Sequence, residues 1–194
     1  MIKKNLWQII GTLIGITGIF LSIFLYQKTI RERDPVLIID PVRTEILDSE
    51  KLVNSPIVVK TPDGSPVNAD VTSVNFYFWN KGAEAIKKEH ILKNLSLVIG
   101  DPSAKIIDKK LLKVSRDVCK IDLTSFVQSH NKINLEFDIL EKYDGLSGQI
   151  IYEGNPEADI YIEGIIESVE KVSNFALSEP ALIERSVVNV FIGI

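Results

Sequence analysis

Residues 133–139 read INLEFDI, a stretch in which apolar and polar side chains alternate without a break. Successive side chains of a β-strand point to opposite faces, so this period of two predicts a strand with one buried face and one solvated face. The residues predicted to face the core are Ile133, Leu135, Phe137 and Ile139.

The same period continues on both sides of this stretch. Val74, Phe76 and Phe78 share one face of a predicted strand, and turn signals such as Asn80-Lys81-Gly82 and Asp144-Gly145 separate such strands. Short strands with turns between them indicate an antiparallel β-sandwich of Ig-like plan, with a small β-barrel as the alternative. The predicted strands lie at about 36–39, 74–79, 95–99, 105–114, 118–123, 133–139, 149–153, 160–170 and 186–193.

The N-terminal region has a different pattern. Residues 6–26 read LWQIIGTLIGITGIFLSIFLY and contain no charged side chain. As a helix this run is about 31 Å long, enough to cross a bilayer core of about 30 Å. It is too long for the apolar core of a signal peptide and lacks a small-residue cleavage site, so we expect an uncleaved anchor. Asp34-Pro35 then ends the helix. The predicted domains are a transmembrane anchor with a juxtamembrane helix at 1–34 and a β-sandwich domain at 35–194.

Small residues form a stripe along this helix. Gly11, Gly15, Gly18 and Ser22 fall on one face at 100° per residue, and Gly11 and Gly15 form a G-x-x-x-G motif. Such stripes let two helices approach closely in lipid, so the sequence predicts a homo-oligomer that forms through this face. The alternative is that these glycines have no specific role, because glycine is common in membrane helices.

The charges that flank the run predict its orientation. Lys3 and Lys4 precede it, whereas Lys28, Arg31 and Arg33 follow it, which favours a cytoplasmic C-terminal domain under the positive-inside rule. The single cysteine, Cys119, agrees, because domains of oxidising compartments usually carry paired cysteines. We therefore expect a single-pass protein of a bacterial inner (cytoplasmic) membrane.

Composition limits the possible partners. The chain has a formal net charge of −4, and residues 35–194 alone carry −7. An acidic domain is poorly suited to general nucleic-acid binding, which requires clustered basic residues. One basic region stands out and predicts a patch for an anionic ligand, with an ordinary charged hairpin as the alternative. Its members are Lys105, Lys109, Lys110, Lys113 and Arg116.

No motif predicts catalysis, a metal or a cofactor. Cys119 shares a predicted face with Ile121 and Leu123, which indicates a buried small side chain rather than a reactive thiol. His90 and His130 are far apart and lack further ligands at metal-binding spacing. The sequence therefore predicts a protein that is not an enzyme.

Three segments together resemble those of a known group. They are FWNKG at 78–82, KVSRD at 113–117 and the stretch from Phe137 to Gly154 that contains YDG and IIYEG. In this order they resemble uncharacterised bacterial single-pass membrane proteins with a C-terminal Ig-like domain. The resemblance implies a β-sandwich and a bacterial source, and it implies no activity.

Two functions are compatible with these features. The first is a membrane-anchored interaction or sensor module, whose helix self-associates in the lipid bilayer and whose β domain binds a protein partner or a ligand. The alternative is an effector of bacterial anti-phage defence, which senses a ligand, for example a nucleotide, and perturbs the membrane when it oligomerises.

Overall fold

The computed structural model describes residues 2–29, 32–52, 58–60, 64–67, 69–125 and 129–176. The chain divides into two compact units, Met1–Glu32 and Arg33–Ile194. The predicted boundary, between residues 34 and 35, lies two residues further along the chain. The last predicted strand, at 186–193, lies outside the described residues.

The first unit is one helix, α1, at Ile2–Thr29. Its 28 residues give a length of about 42 Å at 1.5 Å per residue. Side chains are described from 11 to 26, and all of them are exposed, including large apolar ones such as Leu13 and Phe20. Among the described residues, no helix combines the length and the apolar character that a membrane span requires. The structure therefore does not support the predicted transmembrane helix.

The second unit is mainly β. Its strands, numbered in chain order, are β1 (Pro35–Ile39), β2 (Thr44–Leu47), β3 (Val71–Asn80), β4 (Ile86–Lys87), β5 (Ile91–Ile99), β6 (Lys105–Val114), β7 (Asp122–Ser125), β8 (Lys132–Glu136), β9 (Ile139–Leu140), β10 (Gly145–Glu153), β11 (Ile160–Ile166) and β12 (Ser173–Ala176). A four-residue helix, α2 (Ser49–Leu52), and single 3₁₀ turns at Lys88–His90 and Asp117–Cys119 interrupt them.

These strands form antiparallel sheets, with one parallel pair. The order β12-β1-β3-β10-β6, with β2 also paired to β3, makes a six-stranded sheet among the described residues. A four-stranded sheet has the order β11-β5-β8-β7, and β4 and β9 form a short ribbon. Only β1 and β12 run parallel among the described strand pairs. The predicted mainly β class with antiparallel sheets is confirmed.

One hydrophobic core joins the two larger sheets. The core-facing side chains predicted for β3, Val74, Phe76 and Phe78, pack in one cluster with Leu95 of β5 and Leu135 of β8. Burying large apolar side chains such as these stabilises a fold by about 2 kcal/mol each, so this layer between the sheets is the main source of stability.

The opposite face of the six-stranded sheet is also partly buried. Val36, Ile38 and Trp79 form a second cluster, against which Tyr77 packs. Trp79 lies on the face opposite to Phe78, as alternation predicts, yet its side chain is nearly as buried. β3 therefore has apolar contacts on both of its faces, as expected for a central strand.

The predicted alternation fails at two neighbouring places. The strand predicted at 118–123 is a 3₁₀ turn followed by β7, because Lys120 takes a left-handed conformation with φ of 46°. The strand predicted at 133–139 ends at Glu136, and Leu140 rather than Ile139 is fully buried. The Asp138 amide donates a hydrogen bond to the Cys119 carbonyl. This bond connects the two places at which the predicted strands are interrupted.

The buried side chain of Asn80 fixes the end of the unit at which β1 begins. Its Oδ1 accepts hydrogen bonds from the amides of Asp34 (3.2 Å) and Gly82 (3.0 Å). Its Nδ2 donates to the carbonyls of Glu84 (2.7 Å) and Leu140 (3.1 Å). One amide group thus joins the entry to β1, the loop after β3 and strand β9, and all of its hydrogen-bonding capacity is used.

Substitution of Asn80 by Ala should therefore destabilise the fold strongly. It removes four hydrogen bonds and leaves buried donors and acceptors unpaired, at a cost of about 3 kcal/mol in the free energy of unfolding. Urea denaturation of the full chain in mild detergent, followed by tryptophan fluorescence, measures this. Asn75→Ala is the matched control on the same strand, where only a 3.3 Å contact with Gln149 is lost. Equal losses in the two variants would contradict the role given to Asn80.

Candidate functional site

The predicted basic patch lies mainly on β6, at an edge of the six-stranded sheet as described. Lys109 is opposite Ile150, a core residue, so it occupies the core-facing side of the strand. Lys105, Lys110 and Lys113 are opposite Glu153, Gln149 and Ser147, on the outer face. The structure therefore places three of the five predicted residues on one outer surface, the β6 lysine face.

Arg116, the fifth predicted residue, belongs to a different arrangement. Its guanidinium binds both carboxylate oxygens of Asp144, with an Nε–Oδ1 distance of 2.8 Å, and Nη2 lies 2.8 Å from Glu141 Oε2. These contacts raise the pKa of Arg116 above its ordinary value. Burial of the Asp144 carboxyl opposes its ionisation. Hydrogen bonds from Arg116, the Glu141 amide and Ser115 outweigh burial and lower the pKa of Asp144. Arg116 thus orders the turn before β10.

A second arginine cluster lies where the chain enters the β unit. The side chain of Arg33 is only 9% exposed. Its Nη2 donates to Glu84 Oε1 at 2.6 Å, its Nη1 to the Glu167 carbonyl at 2.9 Å, and its Nε to the Ala85 carbonyl at 3.4 Å. We call Arg33, Glu84, Ala85 and Glu167 the entry clamp.

Sequence reasoning missed the entry clamp. Arg33 appeared only as part of the basic flank of the helix, and its partners are more than fifty positions away. The available signal was the unusual position of a charged residue immediately before Asp34-Pro35 and the first strand. That signal does not identify the partners.

The cysteine and the histidines form no catalytic pair in the described part of the chain. Cys119 is fully buried, and burial raises the pKa of its thiol, which makes the reactive thiolate scarcer. The Lys87 amide donates to His90 Nδ1 at 3.0 Å, and His90 Nε2 lies 3.3 Å from Arg33 Nη2. The His130 carbonyl accepts a bond from the Ile106 amide.

Two acidic groupings are accounted for by local contacts. Carboxylate oxygens of Glu45, Asp48 and Asp70 lie within 4.8 Å of one another. Asp48 pairs with Lys51 at 2.7 Å, and Asp70 accepts bonds from the Ser49 amide and hydroxyl.

A cleft of about 390 Å³ is lined by Gly100, Asp101, Asn155, Glu157, Ala158 and Asp159. There, Ser103 and Asn155 donate to Asp101 and lower its pKa.

The outer face of the four-stranded sheet carries an ordered ion-pair group. Glu163 on β11 lies 2.9 Å from Lys93 Nζ and 2.5 Å from Lys132 Nζ. Hydrogen bonds from Lys132 and then Lys93 lower the pKa of Glu163 from 4.5 to about 2. Next to them, the Ser96 hydroxyl donates to Asn134 Oδ1 at 3.0 Å, so this face is held by polar side chains.

Comparisons of the chain with protein-family models, with curated proteins and with solved structures found no match. The resemblance to bacterial single-pass membrane proteins stays a prediction.

The lowered pKa of Glu163 predicts a pH-dependent contribution to stability. The ionised carboxylate stabilises the folded state fully above about pH 4.5, and this contribution is lost as the pH falls toward about 2. The midpoint of thermal unfolding of Glu163→Gln should therefore lie below that of the wild-type chain at pH 6, and the difference should close by pH 2.

Salt provides the control for this prediction. Both lysines and the carboxylate are partly solvent-exposed, so high salt at pH 6 should also narrow the difference between the two proteins. A difference that stays the same at pH 2 and at pH 6 would show that the ion pairs do not stabilise the fold.

Proposed function

We propose that the chain is a single-pass membrane protein whose β unit acts as an interaction or sensor module. In this proposal α1 anchors the chain in a bacterial inner membrane and self-associates there, and the β unit lies on the cytoplasmic side. The β unit follows the Ig-like plan of a sandwich and binds a protein partner or a small anionic ligand.

The exposed apolar surface of α1 carries this proposal. Residues 6–26 contain no charge, and the side chains described from 11 to 26 are exposed around the whole helix. Leu13, Ile14, Phe20 and Phe24 are each more than half exposed. A soluble helix hides its apolar side in a core, whereas a helix that is apolar on all sides is compatible with lipid.

Anchoring gives the β unit a function that needs no catalytic group. A tethered domain meets other membrane proteins at a raised effective concentration, so weak contacts suffice for binding. The β6 lysine face is the surface to which we assign an anionic ligand, since Lys105, Lys110 and Lys113 share it on a domain of net charge −7 and outnumber the carboxylates of Asp108 and Glu153 there. Lys109 and Arg116, which were predicted with it, have the separate placements described above.

The glycine stripe supports self-association of α1. A Cβ added at Gly11, Gly15 or Gly18 would meet no other atom within 4 Å, so packing inside the chain does not require small residues there. The Ser22 hydroxyl donates to the Gly18 carbonyl at 2.8 Å, which satisfies this polar group within the helix. The stripe is thus smooth and apolar, the surface that close helix pairs in lipid use.

Membrane attachment is tested by extracting membranes from cells that express the full chain. We expect the protein to resist alkaline carbonate and to dissolve only in detergent. Leu13→Lys with Phe20→Lys should prevent insertion, because each lysine costs about 3 kcal/mol near the centre of a membrane helix. The matched control, Leu112→Lys with Val118→Lys, changes exposed apolar residues of the β unit. Recovery of the wild-type chain in the aqueous supernatant would refute the proposal.

Self-association is tested by an in-membrane two-hybrid assay on the full chain. Gly15→Ile places a branched side chain in the centre of the stripe and should abolish the signal, because the two backbones can no longer approach. Thr17→Ile places the same isoleucine side chain on the other side of the helix and should leave the signal unchanged. An unchanged signal in Gly15→Ile would exclude association through this face.

A further inference from the structure

We infer that Arg33 couples the β unit to the linker that precedes it. This inference rests on the proposed function, because it describes how a sensor module would pass a signal toward its anchor. Three residues separate Thr29, the last residue of α1, from Arg33. The guanidinium of Arg33 holds the chain at Arg33 to two separate loops, so that displacement of either loop also frees Glu32, the residue before it.

The contacts of Arg33 make the clamp conditional on both loops. Nine-tenths of the side chain is buried, and a buried cation is tolerated only while carboxylates and carbonyls satisfy it. Glu84 and Ala85 belong to the loop between β3 and β4, on the six-stranded sheet side. Glu167 follows β11 of the four-stranded sheet. Loss of the contacts with Glu84 and Ala85, or of the contact with Glu167, leaves the guanidinium incompletely paired. This favours withdrawal of the Arg33 side chain from the clamp.

The outer side of the loop between β3 and β4, which holds Arg33, is exposed. Lys81 and Ala83 of this loop are exposed, whereas Glu84 points its carboxylate to Arg33. The backbone of the same loop is tied to the chain entry, since the Lys81 amide donates to the Asp34 carbonyl at 2.8 Å. The inner side of the loop thus holds Arg33 and Asp34, while its outer side faces solvent.

A spin label beside the clamp tests this inference in the full chain in lipid vesicles. Glu32 is exposed and adjacent to Arg33, so Glu32→Cys accepts a nitroxide, whereas the fully buried Cys119 is protected from labelling. We expect an immobilised component in the electron paramagnetic resonance spectrum of the otherwise wild-type chain. Arg33→Gln should convert that component into a mobile one.

Arg43→Gln is the matched control. Arg43 also donates to backbone carbonyls of the same unit, those of Pro156 and Ala158, but it lies beyond the far end of β1. The inference predicts no change of the label at Glu32 in this variant. An unchanged spectrum in Arg33→Gln, or an equal gain of mobility in Arg43→Gln, would overturn it.

A second variant keeps the arginine and removes its acidic partners. Glu84→Gln combined with Glu167→Gln should also mobilise the label, and an unchanged spectrum would overturn the inference even if Arg33→Gln failed to fold. The label reports on the clamp equally in detergent. Failure of the chain to bind vesicles would therefore refute the proposed function and leave the inference on Arg33 to be decided by the spectra.

Discussion

The β unit depends on full satisfaction of buried polar groups at the end where β1 begins. Asn80 supplies two acceptor and two donor contacts there, and its backbone carbonyl and amide bind Tyr143 and Asp144. The loop after β3, strand β9 and the turn before β10 consequently meet at one residue. A hydrophobic core tolerates small adjustments of side chains, whereas a buried amide with every partner in place permits one arrangement of its neighbours. Arg33 uses the same end of the unit, and its clamp is possible because Asn80 has already placed Glu84.

The lysines of β6 also have a structural role. An edge strand exposes unpaired backbone groups that invite association with another sheet, and natural edges are protected by bulges and by inward-facing charges. β6 has both: its register with β10 shifts twice, which leaves Ile107 and Leu112 without partners, and Lys109 faces the core side. Pairing of two such edges would also bring lysines of both copies together. Edge-to-edge association of two chains through β6 is therefore disfavoured.

The strands could be predicted from sequence where local alternation determines which side chains are buried. They could not be predicted where hydrogen bonds between distant backbone groups determine the conformation. Alternation predicts β3 and the first part of 133–139 correctly, because each side chain there responds to the two faces of its own strand. It fails at Asp138 and Lys120, where a hydrogen bond between two loops and a left-handed residue break the period. The basic patch illustrates a related limit. Which face Lys109 takes depends on bulges opposite β10, and bulges are properties of a pair of strands.

Arg33 differs in the folded β unit from the other basic residues that are counted beside the apolar run. The positive-inside argument treats Lys28, Arg31 and Arg33 as equivalent charges that follow the apolar run. In the folded unit, Arg33 is withdrawn from solvent, and the carboxylates of Glu84 and Glu167 offset its charge. Arg33 would influence the orientation of the helix during insertion, before the β unit folds. It would influence the linker only after the β unit has folded. An apolar side chain at this position could not pair with the carboxylates of Glu84 and Glu167, which accounts for an arginine in a buried site beside the first strand.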